Sequence, residues 1–268
     1  MTRQYSLCGN PDDRMTWRVA VLREENGRGG SRYIHEEVRE GEQVLARGPR
    51  NHFPLLPGAG YHFIAGGIGI TPLLPMMAQA TRDGVDWHLT YGGRSKQSMA
   101  FADELEKTYP GRVTYHPQDV CGLIDLDTLL AGLQPSTEVY ACGPGPLLDA
   151  LAQRMADRPE CLHLERFAPL KSKGPVERRA FDIELASSGR VLTVTPGESV
   201  LDVLLDNDVY IESSCEEGTC GSCETRIVSG EVDHRDAILS DAERAKGESL
   251  MVCVSRAAAT CPRLVLDL

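Results

Sequence analysis

The chain has no apolar run of transmembrane length, and its opening Met-Thr-Arg-Gln-Tyr-Ser-Leu has no apolar signal core. Neither a membrane-spanning helix nor a secretory leader is therefore expected. It has no internal repeat and no low-complexity segment, which excludes the solenoid and compositionally disordered classes. Positive charge is scarce: 28 Lys and Arg stand against 39 Asp and Glu, for a formal net charge of -11. Such a chain is not expected to take nucleic acid or an anionic membrane as its main partner. A basic patch on a protein partner remains open, beside the plainer reading of a solvated acidic surface. A convincing acid–base pair is also missing. The nearest polar cluster, Asp233-His234-Arg235-Asp236, reads as a solvated turn.

With 268 residues, 41% hydrophobic and 25% charged, the chain has the make-up of a globular protein with about two domains, each large enough for a core. Its nine cysteines, without a secretory signal, suggest a reducing cytoplasm. Five of them, Cys8, Cys121, Cys142, Cys161 and Cys261, read as buried or free thiols. The other four are patterned. Cys215, Cys220 and Cys223 stand as C-x4-C-x2-C, and Cys253 follows after 29 further residues. This is the ligand spacing of a plant-type 2Fe-2S cluster. The residues between the first three are small and glycine-rich, so backbone N–H groups can approach the cluster sulfurs without a Cβ clash. Structural zinc usually takes two C-x2-C knuckles, and only one is present.

Residues 10 to 50 read as strands and turns. Thr16 to Glu24 alternates through Trp17, Val19 and Val21, Asn26 to Gly30 is a glycine-rich turn, and Val44-Leu45-Ala46 is a short strand candidate. From residue 60, strands alternate with helices. Strands are expected at Tyr61 to Ala65, Trp87 to Tyr91, Arg112 to His116, Glu138 to Cys142 and Cys161 to Glu165. Helices follow around Ile70 to Met77, Met99 to Tyr109, Leu129 (capped by Asp125) and Leu147 to Met155. That alternation means parallel βαβ units. Lys171 to Arg179, polar and broken by Gly174-Pro175, reads as a linker. Beyond it lie a hairpin around Ser187-Ser188-Gly189, a helix from Ser199 to Asn207, the cysteine loop, and strands at Thr225 to Val228 and Leu264 to Leu266. A small mixed sheet with one main helix suits a β-grasp module.

Gly66-Gly67-Ile68-Gly69-Ile70-Thr71-Pro72 joins a strand to a helix, and Cys142-Gly143-Pro144-Gly145-Pro146 does the same after the fourth strand. Glycine lets the backbone approach a pyrophosphate, and a helix N-terminus adds N–H donors. Two such turns at the carboxyl ends of parallel strands mark a dinucleotide crevice. Arg94, ending the strand between them, could hold a phosphate or ribose or be an exposed loop arginine. Near the start, Arg3-Gln4-Tyr5-Ser6-Leu7 offers a cation, an aromatic face and a hydroxyl, and Gly29-Gly30-Ser31 could cradle a phosphate.

In this order, Arg3-x-Tyr5-Ser6-Leu7, Gly29-Gly30-Ser31, Gly66 to Pro72, Cys142-Gly143-Pro144 and the four-cysteine loop resemble the phthalate dioxygenase reductase and vanillate demethylase reductase group of the ferredoxin–NADP reductase-like superfamily. The resemblance covers essentially the whole chain. It implies a multi-domain α/β and β fold: a partial flavin-binding β-barrel (1–56), a parallel α/β NAD domain (57–168), a linker (169–180) and a β-grasp 2Fe-2S ferredoxin domain (181–268). It further implies that Arg3, Tyr5 and Ser6 contact the flavin and that Gly29, Gly30 and Ser31 bind its phosphate. FMN is favoured over FAD, because no adenine platform is evident. Gly66, Gly67, Gly69, Thr71, Arg94, Gly143 and Pro144 would bind NADH, with Thr71 and Cys142 near the nicotinamide. Phe167, in Glu165-Arg166-Phe167, would shield the flavin; without the family it reads as a core aromatic. Members of the group carry several barrel strands ahead of the Arg-x-Tyr-Ser motif, so a barrel that starts at this motif is expected to be incomplete and to bind flavin less well. The implied activity is that of an NADH-dependent reductase passing electrons through flavin and the 2Fe-2S cluster to a Rieske-type aromatic oxygenase. The alternatives are a reductase for a cytochrome P450 or another monooxygenase, and a flavin-deficient carrier reduced by another protein.

Overall fold

The computed structural model describes residues 2–170 and 179–268. Most of the expected linker, residues 171–178, lies outside the described residues. The chain divides into two compact units: Tyr5–Arg166, and Phe167–Leu268 together with the residues up to Gln4.

The first unit is built on a five-stranded parallel sheet in the order β3-β2-β1-β4-β5, formed by β1 (Tyr61–Gly66), β2 (Trp87–Gly93), β3 (Val113–Pro117), β4 (Glu138–Cys142) and β5 (Leu162–Glu165). Residues Tyr61 to Ala65 of central β1 are buried without alternation, as a strand covered on both faces must be. Helix α2 (Ile70–Arg82) and helix α3 (Ala102–Thr108) cover one face. Ile70, Leu73, Met77 and Leu105 pack there on Phe63, Leu89 and Tyr91. On the other face, Leu126 of α5 (Leu126–Ala131) and Leu148 and Leu151 of α6 (Gly145–Arg154) pack on Ile64, Val139 and Ala141. The expected cap of α5 is present: Asp125 accepts a hydrogen bond from the Thr128 N–H at 3.1 Å. A short helix α4 (Gln118–Cys121) follows β3.

Residues 5–56 depart from the sequence expectation. The alternating runs at Thr16 to Glu24 and Val44 to Ala46 form no strands. The segment contains α1 (Gly30–Glu36) and a single antiparallel bridge, Leu7 with Val19. Alternation becomes a strand only where a neighbouring edge takes up the N–H and C=O groups. Here Cys8 and Arg18 supply one such bond, Cys8 N–H to the Arg18 carbonyl at 2.8 Å, and Met15, Trp17, Val44 and Leu45 stay exposed.

The second unit holds a mixed sheet in the order β10-β8-β12-β6-β7, made of β6 (Phe181–Leu185), β7 (Val191–Val194), β8 (Glu224–Ser229), β10 (Ser249–Met251) and β12 (Arg263–Leu266). β12 pairs parallel to β6, and the other neighbours are antiparallel. Helix α7 (Val200–Asp206) lays Val200, Leu201, Val203 and Leu204 into the core, and Ser199 and Asp202 close a capping box at its start. β9 (Val232–Asp233), β11 (Arg256–Ala257) and α8 (Asp241–Lys246) are short elements that the sequence reading lacks. The reading of Asp233 to Asp236 as a solvated turn is corrected: Asp236 is 0% exposed.

Candidate functional site

At the carboxyl end of the parallel sheet the two glycine turns meet. The turn Gly67–Gly69 is a short 3-10 helix running into α2, and Pro144 precedes α6. A Cβ on Gly69 would lie 2.2 Å from the Cys142 carbonyl oxygen, and one on Gly66 2.5 Å from Pro144 Cδ. One on Gly143 would lie 2.9 Å from Gly66 Cα. Glycine is needed at these three positions because two backbones pack against each other there. The Tyr91 hydroxyl braces the turn by donating to the Gly67 carbonyl at 3.1 Å. Thr71 is buried, with its hydroxyl donating to the Ile68 carbonyl at 3.0 Å.

The structure adds a residue that the sequence reading passed over. Glu165 ends β5, in register with Cys142 at the end of β4. The Ser6 hydroxyl hydrogen-bonds its carboxyl, and burial pushes that carboxyl up to about 7 against the effect of this bond. Its Oε2 is buried without a hydrogen-bond partner. Burial, and then the Glu165 charge, push the Cys142 thiol well above its ordinary range. A buried acceptor left unpaired is costly unless something comes to use it. An orphaned carboxyl oxygen beside a serine hydroxyl, at the carboxyl end of the sheet, suits a flavin edge or a nicotinamide amide. The sequence signal was only the adjacency of Glu165 to the Arg166-Phe167 segment.

The remaining candidates are placed as follows. Gly29, at φ 82°, turns the chain into α1, and Ser31 Oγ accepts from the Glu24 N–H at 3.1 Å. Arg94 is exposed, and its carbonyl accepts from the Asp119 N–H at 3.1 Å, tying the ends of β2 and β3. Arg3 and Phe167 fall in the second unit, while Tyr5 and Ser6 fall in the first. Phe167 is 46% exposed, so it is not the core aromatic that its type alone suggests. Gln4 Nε2 donates to Ser214 Oγ, next to Cys215.

Glu165 gives a pH test. Below the carboxyl's ordinary 4.5 the group is neutral whether the chain is folded or not. As pH rises from there towards about 7, the unfolded chain ionises first, so stability falls, and the loss is complete above the folded value. The expected size is roughly 3 kcal/mol. Burial holds His62 down to about 4, and this makes stability rise with pH over much of the same range, so the downward slope should appear in the difference between the urea-unfolding free energies of the unsubstituted chain and Glu165→Gln from pH 4.5 to 8. An equal slope in the variant would assign the effect elsewhere.

In the second unit the four patterned cysteines converge. Cys215 hydrogen-bonds Cys220 and Cys253, and Cys223 hydrogen-bonds Cys253. Cys215 Sγ also accepts from the Glu217 and Thr219 N–H groups at 3.3 and 3.4 Å. Hydrogen bonds from the neighbouring thiols, and then the Glu217 N–H, hold Cys215 well below the usual thiol range. The loop reaches this shape through Gly218 at φ 69° and Gly221 at φ 71°. The four thiols thus form one run of contacts, Cys220 to Cys215 to Cys253 to Cys223. Four cysteine sulfurs gathered in this way under backbone N–H donors fit a 2Fe-2S cluster.

Comparison with known proteins finds one domain family in each unit. The 2Fe-2S iron-sulfur cluster binding domain family matches residues 183–258, and the oxidoreductase NAD-binding domain family matches residues 63–153. A carnitine monooxygenase reductase subunit of Escherichia coli (strain K12) is 43% identical over 270 residues, which are 98% of this chain and 82% of the relative. The solved phthalate dioxygenase reductase, described as a modular structure for electron transfer from pyridine nucleotides to [2Fe-2S], superposes with a TM-score of 0.66 at 38% identity. That match covers 98% of this chain and 83% of the other. An intact type IV self-sufficient cytochrome P450 monooxygenase superposes with a TM-score of 0.89 at 44% identity, over 99% of this chain and 35% of that one. The chain thus spans about a third of the P450.

Proposed function

Since this chain belongs to the phthalate dioxygenase reductase family of oxygenase reductases, we propose that its electron acceptor is a Rieske-type aromatic oxygenase or demethylase and that its flavin is FMN. It is an NAD-dependent oxidoreductase with a 2Fe-2S domain. The observation that carries the reading is the run of four contacting cysteine sulfurs with N–H groups aimed at Cys215, joined in one chain to two glycine turns at the carboxyl end of a parallel sheet. A bound flavin would supply the ability to accept the nicotinamide's two electrons together, and a bound cluster would supply one-electron transfer onward.

The protein's own task is placement. Gly66, Gly67, Gly69, Gly143 and Pro144 shape the wall against which NADH lies, Thr71 anchors the first turn of α2, and Arg94 stands at the end of β2 for the cofactor's outer part. Cys142 and Glu165 face the nicotinamide, and Ser6 orients the Glu165 carboxyl. Arg3, Tyr5 and Ser6 hold the flavin ring, Gly29, Gly30 and Ser31 its phosphate, and Phe167 covers it until the nicotinamide arrives. Cys215, Cys220, Cys223 and Cys253 bind the cluster. Nine cysteines with no disulfide among the described residues suit the cytoplasm as the working compartment.

The test is an anaerobic visible spectrum of the purified chain before and after NADH. A flavin band over an iron–sulfur background, both bleached by NADH, is expected. An iron–sulfur spectrum that NADH leaves unmoved would overturn the reading in favour of a carrier reduced by another protein. One observation favours a second acceptor: identity to the P450 enzyme, 44% over 99% of the chain, matches that to the oxygenase reductase subunits. Reconstitution of NADH consumption with a Rieske oxygenase and with a P450 haem domain separates the two.

A further inference from the structure

Among the described residues, Asp236 is the only carboxylate in the fully buried set, at 0% exposure. Its Oδ2 accepts from the N–H groups of Ile238 at 3.1 Å and Leu239 at 2.8 Å. Its Oδ1 receives the Ser255 hydroxyl at 3.4 Å, and that hydroxyl in turn accepts the Arg235 N–H at 3.2 Å. Arg244, from α8, donates to the Asp236 carbonyl at 2.7 Å and stands 3.8 Å from Oδ2, while His234 Nδ1 stands 3.7 Å from Oδ1. A buried charge is not required for stability, because well-packed apolar residues can usually replace one without loss. The position of this one points to another purpose.

Asp236 lies between the two chain segments that carry the four cysteines. On one side is Gly218, inside the Cys215–Cys220 loop. The Ala237 N–H donates to the Gly218 carbonyl at 2.8 Å, and a Cβ on Gly218 would sit 3.0 Å from Asp236 Cα and 2.6 Å from Val254 Cγ2. On the other side is Ser255, two residues past Cys253. The Gly218 N–H itself hydrogen-bonds the Cys253 sulfur. The peptide packed on Asp236 is therefore the one that spans from the first cysteine segment to the last cysteine.

We infer that Asp236 is a positioning residue for the iron–sulfur centre, acting through Gly218 and Ser255 to hold the N–H donated to Cys253 and the register of the two cysteine segments. Hydrogen bonds to the sulfurs help set a cluster's reduction potential. An N–H aimed at sulfur favours the more negative, reduced state, so loosening it lowers the potential. Removing a nearby negative charge acts in the opposite direction. The sign of the shift therefore separates positioning from simple charge.

The role presupposes the cluster. Failure of that premise would show first, as unsubstituted protein without iron or visible absorption. The experiment compares the full chain, cluster loaded, with Asp236→Ala, Asp236→Asn and Ser255→Ala, reading visible circular dichroism, midpoint potential and the rate of cluster loss. In Asp236→Ala the dichroism changes, the potential falls below those of both the unsubstituted and Asn proteins, and the cluster is lost about tenfold faster. Asp236→Asn keeps an acceptor for the two N–H groups, so its dichroism and cluster lifetime stay within about twofold. Ser255→Ala lowers the potential less, in the same direction, and decides the matter if Asp236→Ala does not fold. Potentials that rise equally in both Asp236 variants would overturn the inference in favour of a through-space charge. Unchanged potential and dichroism, with only the unfolding midpoint moved, would reduce Asp236 to a fold residue.

Discussion

Cys223→Ser removes the visible iron–sulfur spectrum and takes NADH-driven reduction of the oxygenase to background, while NADH oxidation by an artificial acceptor that draws on the flavin continues. The expectation follows from how little else the change disturbs. Cys223 is buried in the second unit's core beside Cys253 and hydrogen-bonds its thiol. Serine keeps the shape and the hydrogen-bonding capacity, so the sheet and α7 stay folded. What it loses is the soft thiolate that iron requires. Cys261 is the matched control. It is also buried in this core, accepting the Glu231 N–H at 3.2 Å and donating to the Arg263 carbonyl at 3.0 Å, but it stands outside the patterned four. Cys261→Ser should keep the full spectrum. Retention of the spectrum by Cys223→Ser would remove Cys223 from the ligand set.

Gly69→Ala should cost about 3 kcal/mol in the stability of the first unit and reduce kcat/KM for NADH by about a hundredfold. The reason is space and not conformation. Gly69 has φ -62°, a backbone any residue adopts, yet its added Cβ would stand 2.2 Å from the Cys142 oxygen, 2.4 Å from the Cys142 carbon and 2.7 Å from the Gly143 nitrogen. All three are backbone atoms at the end of a central strand and cannot swing aside as a side chain can. Relief must come from parting the two turns, which displaces Cys142 and the ends of β1 and β4. Gly67 provides the contrast. Its φ is +55°, but a Cβ there meets nothing within 4 Å. Gly67→Ala should cost only the strain of that conformation, about 1 kcal/mol. Thermal unfolding and NADH kinetics of the two variants check both statements. An undisturbed Gly69→Ala would mean that the turns do not pack as described.

The parallel sheet was legible because each of its strands is a short apolar run closed by a turn signal. Glu138–Cys142 is bounded in the structure as the residues suggest, and α3 begins late because Phe101 takes φ 64° just before it. The cysteine loop was legible because ligand spacing is a covalent fact of the sequence. Residues 5–56 misled because alternation reports which faces are apolar, not whether a pairing edge is present. Asp236 misled for a related reason. Four polar residues in a row normally face water, and nothing local in the sequence reveals that Gly218 and Ser255 close over one of them. Glu165 was invisible as a site because an isolated carboxylate at a strand end has no pattern; only its register with Cys142 and the approach of Ser6 give it meaning.

The order of strands in the second unit bears on how the protein is made. β12, near its C-terminal end, lies at the centre of the sheet between β8 and β6, and its pairing with β6 is parallel. During synthesis the cysteine loop leaves the ribosome well ahead of residues 263–266, so the loop exists for a time with no sheet to close beneath it. The first unit, whose strands all precede residue 166, can fold during that interval. Iron insertion should therefore wait until the sheet has received its middle strand, and a chain stalled before residue 263 should carry a formed parallel sheet while the thiols of Cys215, Cys220 and Cys223 are still open to oxidation.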